Sequence, residues 1–516
     1  MTQIQPSIAE YYHEQTKYDP ESLRQKSQYL DWNKQPVPFK EYKIGSDFEL
    51  KYYLNKKLED FSNNSSQQWW WRLSELLFCS YGLTAKIPSM GSTVYLRSAP
   101  SAGGLYPAEL YVVSRGLPLL PAGLYNYQCR THSLKQFWDS DVWENLQAAC
   151  FCHSGLENSQ LAIITTAVFY RSAWRYQDRA YRRIFLDTGH LLGNIELAAA
   201  MTNYRPYLIG GFMDEAVNNL LYVDSRQEAA TVVIGLLDLL KEPKKFPSQK
   251  IALPSLTTRD YPPIPDGEIL NYLHLHTQIK SDLQTENPEG KTTISDYQNN
   301  DNYLDDKYNF SFCDKFSTHS LPINWGKNLG DLAETMYKRR STRSYSGEKL
   351  KFDELKLLLD FTYQPQNYLD QNLDSHPDYF DLNLIETFIA VSGVDGLEPG
   401  CYYYAPKAQE LRQIRFKNFR SELHFLCLGQ ELGRDAAAVI FHTADLKKAV
   451  DKYGDRVYRY LHLDAGHLGQ RLNLAAIRLN LGVSGIGGFF DDQVNDILGI
   501  PIDEAVVYIT TLGRPR

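Results

Sequence analysis

The chain has 516 residues, 43% hydrophobic and 22% charged, with a formal net charge of -8. That length exceeds one ordinary domain, and the acidic balance excludes a nucleic acid or an anionic membrane surface as the main partner. No apolar run reaches the roughly eighteen residues that a bilayer crossing takes, and the start carries no signal pattern, so the reading is a cytoplasmic protein for a small molecule or peptide.

In chain order, the aromatic run Trp69 to Trp71 is core or interface material. "RSAPSAGGLYP", Arg97 to Pro107, follows as a small-residue loop whose backbone can come close to a flat ligand. Short β-branched runs predict strands at Glu109–Val113, Leu161–Tyr170 and Ala230–Gly235. Between them Cys150, Cys152 and His153 cluster without metal-ligand spacing; with seven scattered cysteines and no C-x-x-C pair, neither a disulfide framework nor a zinc site is expected. Helical spacing predicts a helix over Leu186–Ala199. The polar, proline-containing stretch from about Lys241 to Leu329 reads as a linker or long excursion. Beyond it, "KRRSTRSYSG" sets Arg339, Arg340, Ser341 and Arg343 ahead of a helix beginning near Lys351; clustered guanidinium groups around a hydroxyl suit a phosphate. "SGIGGF" near Gly485 reads as following a helix, which speaks against a dinucleotide fingerprint. The final strand "AVVYITTL" runs into Arg514 and Arg516, which alternation sends to one face.

Much of this is written twice. "DRAYRRIFLDTGH" (Asp178 to His190) and "DRVYRYLHLDAGH" (Asp455 to His467) agree at eight of thirteen positions, at an offset of 277. The same offset aligns Gly123, Tyr125 and Tyr127 with Gly400, Tyr402 and Tyr404, Glu109 with Glu386, and both "IGGF" segments. An α+β domain has been duplicated: residues 1–250, a linker at 251–328, and residues 329–516. His190 and His467, each three residues after an aspartate, read as interface histidines rather than metal ligands.

The ordered set "RSAPSAGGLYPAELYVV", "LPAGLYNY", "YRSAWRYQDRAYRRIFLDTGH" and "IGGF" resembles the SagB/ThcOx-type dehydrogenases, a branch of the FMN-dependent nitroreductase superfamily. The resemblance implies two tandem nitroreductase-like domains forming an intramolecular pseudo-dimer, with FMN at their interface. It assigns the phosphate and ribityl chain to the arginine arm and basic C-terminus of one protomer, the ring to its "IxGF" segment, and the "PSxxx" loop to the other protomer. Here the second half carries Arg339, Arg340, Ser341, Arg343, Gly487, Gly488, Arg514 and Arg516. Where the offset requires a loop it has "PDYFD", Pro377 to Asp381. The first half keeps Pro100, Ser101, Ala102, Gly103 and Gly104 but reads "DFSNNSSQ" where the arm belongs. One complete FMN site per chain is the expectation.

The resemblance also implies oxidation of a thiazoline or oxazoline in a peptide to the azole, with oxygen reoxidising the flavin. Its Lys-Tyr pair is Lys452 and Tyr453 in the second half and Arg175 and Tyr176 in the first; the latter are expected at the surviving site. Arginine is a poor base, so Tyr176 is the acid or base if a neighbour lowers its pKa, and Lys452 the fallback. Two other readings compete: an NAD(P)H-dependent reductase of nitro, quinone or enone substrates, and a non-catalytic scaffold in a peptide-modifying complex.

Overall fold

The computed structural model describes residues 5–25, 30–89, 92–244, 249–280 and 307–516. The middle of the expected linker lies outside them. Six helices position the features below: α1 (Ile8–Gln15), α2 (Phe169–Tyr176), α3 (Ala180–Met201), α4 (Ile269–His276), α5 (Leu446–Tyr453) and α6 (Val457–Arg478).

Each half builds a seven-stranded antiparallel sheet. The first runs Ser46–Glu49, Ser133–Trp138, Gly123–Gln128, Ala108–Ser114, Leu161–Val168, Glu228–Asp238, Tyr204–Ile209. The second runs Lys315–Ser317, Glu410–Arg415, Gly400–Ala405, Glu386–Val391, Ala438–Asp445, Glu504–Gly513, Gly482–Ile486. Even the irregularities repeat: register shifts at Leu124/Tyr125 and Thr165/Thr166 recur 277 residues later at Cys401/Tyr402 and His442/Thr443. Bulges shared in this way belong to the inherited fold.

The strand expected over Leu161–Tyr170 stops at Val168, and α2 begins at Phe169, because the aromatic pair that looks like strand sequence opens an amphipathic turn of helix. "SGIGGF" also stands in a different context from the one read: Gly482–Ile486 is a strand, and a helix follows at Asp491. That strand pairs antiparallel with its neighbour, which is not the parallel βαβ setting of a dinucleotide fold.

α3 and α6 are the repeated helices, and they pack against each other at the centre of the molecule. Every residue from Ala180 to Ala199 and from Val457 to Ala476 is buried, the pattern of helices covered on all sides. They cross at the glycines of "LDTGH" and "LDAGH". A Cβ on Gly189 would lie 2.8 Å from the Cα of Gly466 and collide with the Leu463 carbonyl; one on Gly466 would meet Gly189 and the Leu186 carbonyl. Gly189→Ala should therefore cost about 1–3 kcal/mol, read by urea unfolding against Gly330→Ala, whose Cβ would meet no atom within 4 Å. Equal midpoints for the two variants would contradict the close crossing.

The described parts of 251–328 are packed, and they hold a second, shorter repeat. Ile8, Tyr11, His13 and Thr16 of the α1 segment recur as Ile269, Tyr272, His274 and Thr277 of the α4 segment. Both helices dock in the same way. Asp455 accepts from Ala9 N at 3.1 Å and Asp178 from Leu270 N at 3.2 Å. His13 meets Tyr458 and His274 meets Tyr181, which are equivalent tyrosines. α4 is thus the second half's own leading helix, and each leading helix is held by the aspartate of the other half.

Candidate functional site

The same motif clamps the halves together. Asp491 receives Arg179 at 2.8 Å and Arg182 at 2.7 Å; Asp214 receives Arg456 and Arg459, each at 2.6 Å. All six side chains are buried, and each trio joins one half to the other. His190 crosses the same interface to Gln470 (2.9 Å) and Tyr508 (2.8 Å), as read for an interface histidine. His467 faces Glu196 at 3.4 Å and stacks on Tyr379.

The aspartate of "LDxGH" fastens the neighbouring loop. Asp187 accepts from Ser101 Oγ at 2.6 Å and from Ala102 N at 3.1 Å, while Ser101 Oγ accepts from Tyr106 N. Burial pushes the Asp187 carboxyl up to about 7, against the pull of those hydrogen bonds. Pro100 to Gly104 then turn tightly, with Gly103 and Gly104 at φ of +65° and +66°, where glycine is free of Cβ strain. The Tyr176 hydroxyl and Arg175 lie beside Gly103: a Cβ there would fall 2.8 Å from the hydroxyl oxygen and 3.4 Å from Arg175 Cδ. Above Gly104 there is open space to at least 4 Å.

The arm of the second half arrives at this loop. Arg339 is buried and donates to the carbonyls of Arg97 and Ser98, just ahead of Pro100; its Nη1 is buried without a hydrogen-bond partner. Burial, with Arg340 and Arg343 nearby, draws this guanidinium down to about 10. Thr342 pairs with Val483 on the strand leading to Gly487 and Gly488, and Ser344 accepts from Arg516 N. Ser341 is half-buried, and Arg343 and Arg516 are exposed. Two of the predicted ligands are occupied by protein groups instead: Arg340 donates to Thr84, and Arg514 pairs with Glu354 at 2.8 Å. The long strand ends at Gly513, but Pro515 still bridges Tyr345, with Ser346 N donating to the Arg514 carbonyl and Arg516 N to that of Ser344, so the chain stays extended through both arginines.

At the other copy the matching space is filled. Asp464 receives the amides of Phe380 (2.9 Å) and Asp381 (2.8 Å), as Asp187 receives its loop. Phe380 stacks on Tyr460 with centroids 5.0 Å apart and lies on Gly210, while Leu253 covers Gly211. Arg205 pins the loop through Asp378 (2.6 Å) and Asp374 (3.1 Å). Lys452 and Tyr453 stand here, both on Asp381, away from the open loop.

One side chain escaped the sequence reading. Arg183, one turn before Asp187 on α3, lies over the Tyr176 ring at 3.8 Å and against Gly487. Its signal was a difference between the copies: the equivalent residue, Tyr460, is one of the few changes inside the repeated motif.

Known proteins share this architecture. A crystal structure of a nitroreductase-like protein from Anabaena variabilis superposes with a TM-score of 0.92 at 71% identity, covering 99% of this chain and 100% of its own. A nitroreductase-like protein of Methanocaldococcus jannaschii is 30% identical over 183 residues, which are 36% of this chain and 90% of that one. The trifolitoxin-processing protein TfxF of Rhizobium leguminosarum bv. trifolii is 28% identical over 130 residues, 25% of this chain and 42% of its own length. The Nitroreductase family itself matches twice, at residues 73–236 and 336–514, one match on each sheet with its central helix. The chain belongs to the Nitroreductase family and carries the family's domain in two copies.

Proposed function

We propose that the chain is an FMN-dependent oxidoreductase holding one flavin between the arm of its second copy and the loop of its first, and that it dehydrogenates an azoline-type heterocycle in a peptide or peptide-derived molecule. Arg339 carries the reading: a buried guanidinium with a spare donor, stitched to the open loop of the opposite half. Such a donor suits a phosphate. Ser341, Arg343 and Arg516 complete the anion site, and Arg340 and Arg514 join it on leaving Thr84 and Glu354. Gly487 and Gly488 suit a flat ring because they carry no Cβ, and Arg183, which lies on Gly487, gives way when the ring enters. The flavin, when bound, supplies the hydride acceptor. Kinship with a trifolitoxin-processing protein supports a substrate of natural-product type.

Aromatisation also releases a proton. Burial raises the Tyr176 pKa and outweighs Arg183 and Arg175, which pull it down. Tyr176 keeps its proton and orients the substrate as a hydrogen-bond donor, Arg175 is no base, and the released proton passes to solvent water, which reaches the site at the exposed Arg175. This pairing also gives weight to a second reading, an NAD(P)H-dependent reductase of nitro, quinone or enone compounds, in which Tyr176 donates to the reduced product.

Absorbance of the purified chain, with released flavin identified by chromatography, tests the first reading: one FMN per chain is expected. Two flavins, or a colourless chain that FMN does not reconstitute, would sink it and, in the second case, leave the scaffold reading. Anaerobic mixing with NADPH separates the chemistries, since fast bleaching favours the reductase.

A further inference from the structure

The filled copy displays an anion that the open copy lacks. Asp381 places its carboxylate on Lys452 Nζ at 2.5 Å and receives the Tyr453 hydroxyl at 3.1 Å. At the offset of 277 these three residues correspond to Gly104, Arg175 and Tyr176. The open copy therefore keeps the cation and the phenol and omits the carboxylate. The space where that carboxylate would start is clear, because a Cβ on Gly104 meets nothing within 4 Å.

Charge balance points the same way. At the filled copy each nearby cation has its own acid: Lys452 has Asp381, Arg205 has Asp374 and Asp378, and Arg456 has Asp214. At the open copy Arg175 has no ion pair among the described residues. Arg183 is 6% exposed, makes neither ion pair nor hydrogen bond among them, and buries its Nε without a partner. Its counterpart Tyr460 is fully engaged, with Arg456 and with the carbonyls of Gly210 and Leu253. Asp187, the acid on the same helix, is committed to Ser101 and Ala102. Arg183 is largely buried and the one acid near it, Asp187, is committed to the loop, while Arg175 is exposed and open to a partner, so a site built this way favours an anion from outside.

We propose that a carboxylate of the substrate takes, at the open copy, the place that Asp381 takes at the filled one, seated on Arg175 and the Tyr176 hydroxyl with Arg183 behind the ring. The substrate is then a carboxylate-bearing molecule; in a peptide, the group is an acidic side chain or a free C-terminus beside the heterocycle. This rests on the open copy being the working site and narrows what that site accepts.

Calorimetric titration of the full-length chain with benzoate and with its neutral isostere benzamide tests the inference. Benzoate should bind about tenfold tighter or better, as expected for charge-assisted pairing. Arg175→Gln with Arg183→Gln should abolish that preference. Gly104→Asp should abolish it too by supplying an internal carboxylate, at a left-handed position that aspartate tolerates. Equal affinity for the two probes, or a preference that survives in both variants, overturns the proposal. Flavin content is read on the same samples: a flavin-free chain that still prefers benzoate would refute the cofactor reading and uphold the anion site. A flavin-loaded chain without the preference would do the reverse.

Discussion

Asp491→Ala should destabilise the protein by about 3–5 kcal/mol, the cost of leaving buried charges without their partner. Asp491 is 2% exposed and holds both Arg179 and Arg182 from the opposite half. Burial by itself raises its pKa, yet the two guanidinium groups together hold the carboxyl below its ordinary value. Alanine would leave two buried guanidinium groups without the acid that pairs with both. The mirror variant Asp214→Ala, removing the acid from Arg456 and Arg459, should cost a similar amount because the geometry repeats. Urea unfolding followed by near-ultraviolet circular dichroism measures both. A loss below about 1 kcal/mol in either would mean that the trio behaves like a surface ion pair.

Changing Arg339 and Arg340 together to Ala should lower flavin affinity by about a hundredfold or more, from two lost charge-assisted contacts. Arg339 has a second job that a remote phosphate ligand lacks: its bonds to Arg97 and Ser98 place the arm of one copy on the loop of the other. Arg339→Lys should recover little, because an ammonium cannot reproduce the fork that spans two carbonyls and keeps a donor spare. Arg205→Ala, which loosens only the filled copy, should retain the full flavin content. Flavin absorbance after dialysis decides the matter: a double variant that keeps its flavin would place the cofactor elsewhere.

The duplication was legible because the repeated residues do work that tolerates little change. The arginines of "DRxYR" clamp the halves, the aspartate of "LDxGH" holds a loop, and the glycine lets two helices touch. Those jobs could not be assigned from one strand of letters, since the partners lie from 85 to 312 residues away. The α1 segment's recurrence was harder to see: only four residues match, and the spacing to the core differs between copies, so the 277 offset passes over it. Arg183 was missed because sequence comparison rewards identity, whereas its meaning lies in replacing Tyr460. Arg340 and Arg514 illustrate a further limit, for nothing local announces Thr84 or Glu354 as competing partners.

The covalent joining of the two copies has an evolutionary consequence. In a dimer of identical chains, any substitution arrives twice, so a bulky "PDYFD" loop or a missing arm would abolish both interface sites at once. Fusion breaks that bookkeeping. Under the proposed reading, one copy can lose its arm and the other its loop, provided the losses leave one arm and one loop facing the same cleft. Phe380, lodged against Gly210 and stacked on Tyr460, is then more than a relic: it does a structural job, filling on one side of a symmetric frame the space that stays open on the other.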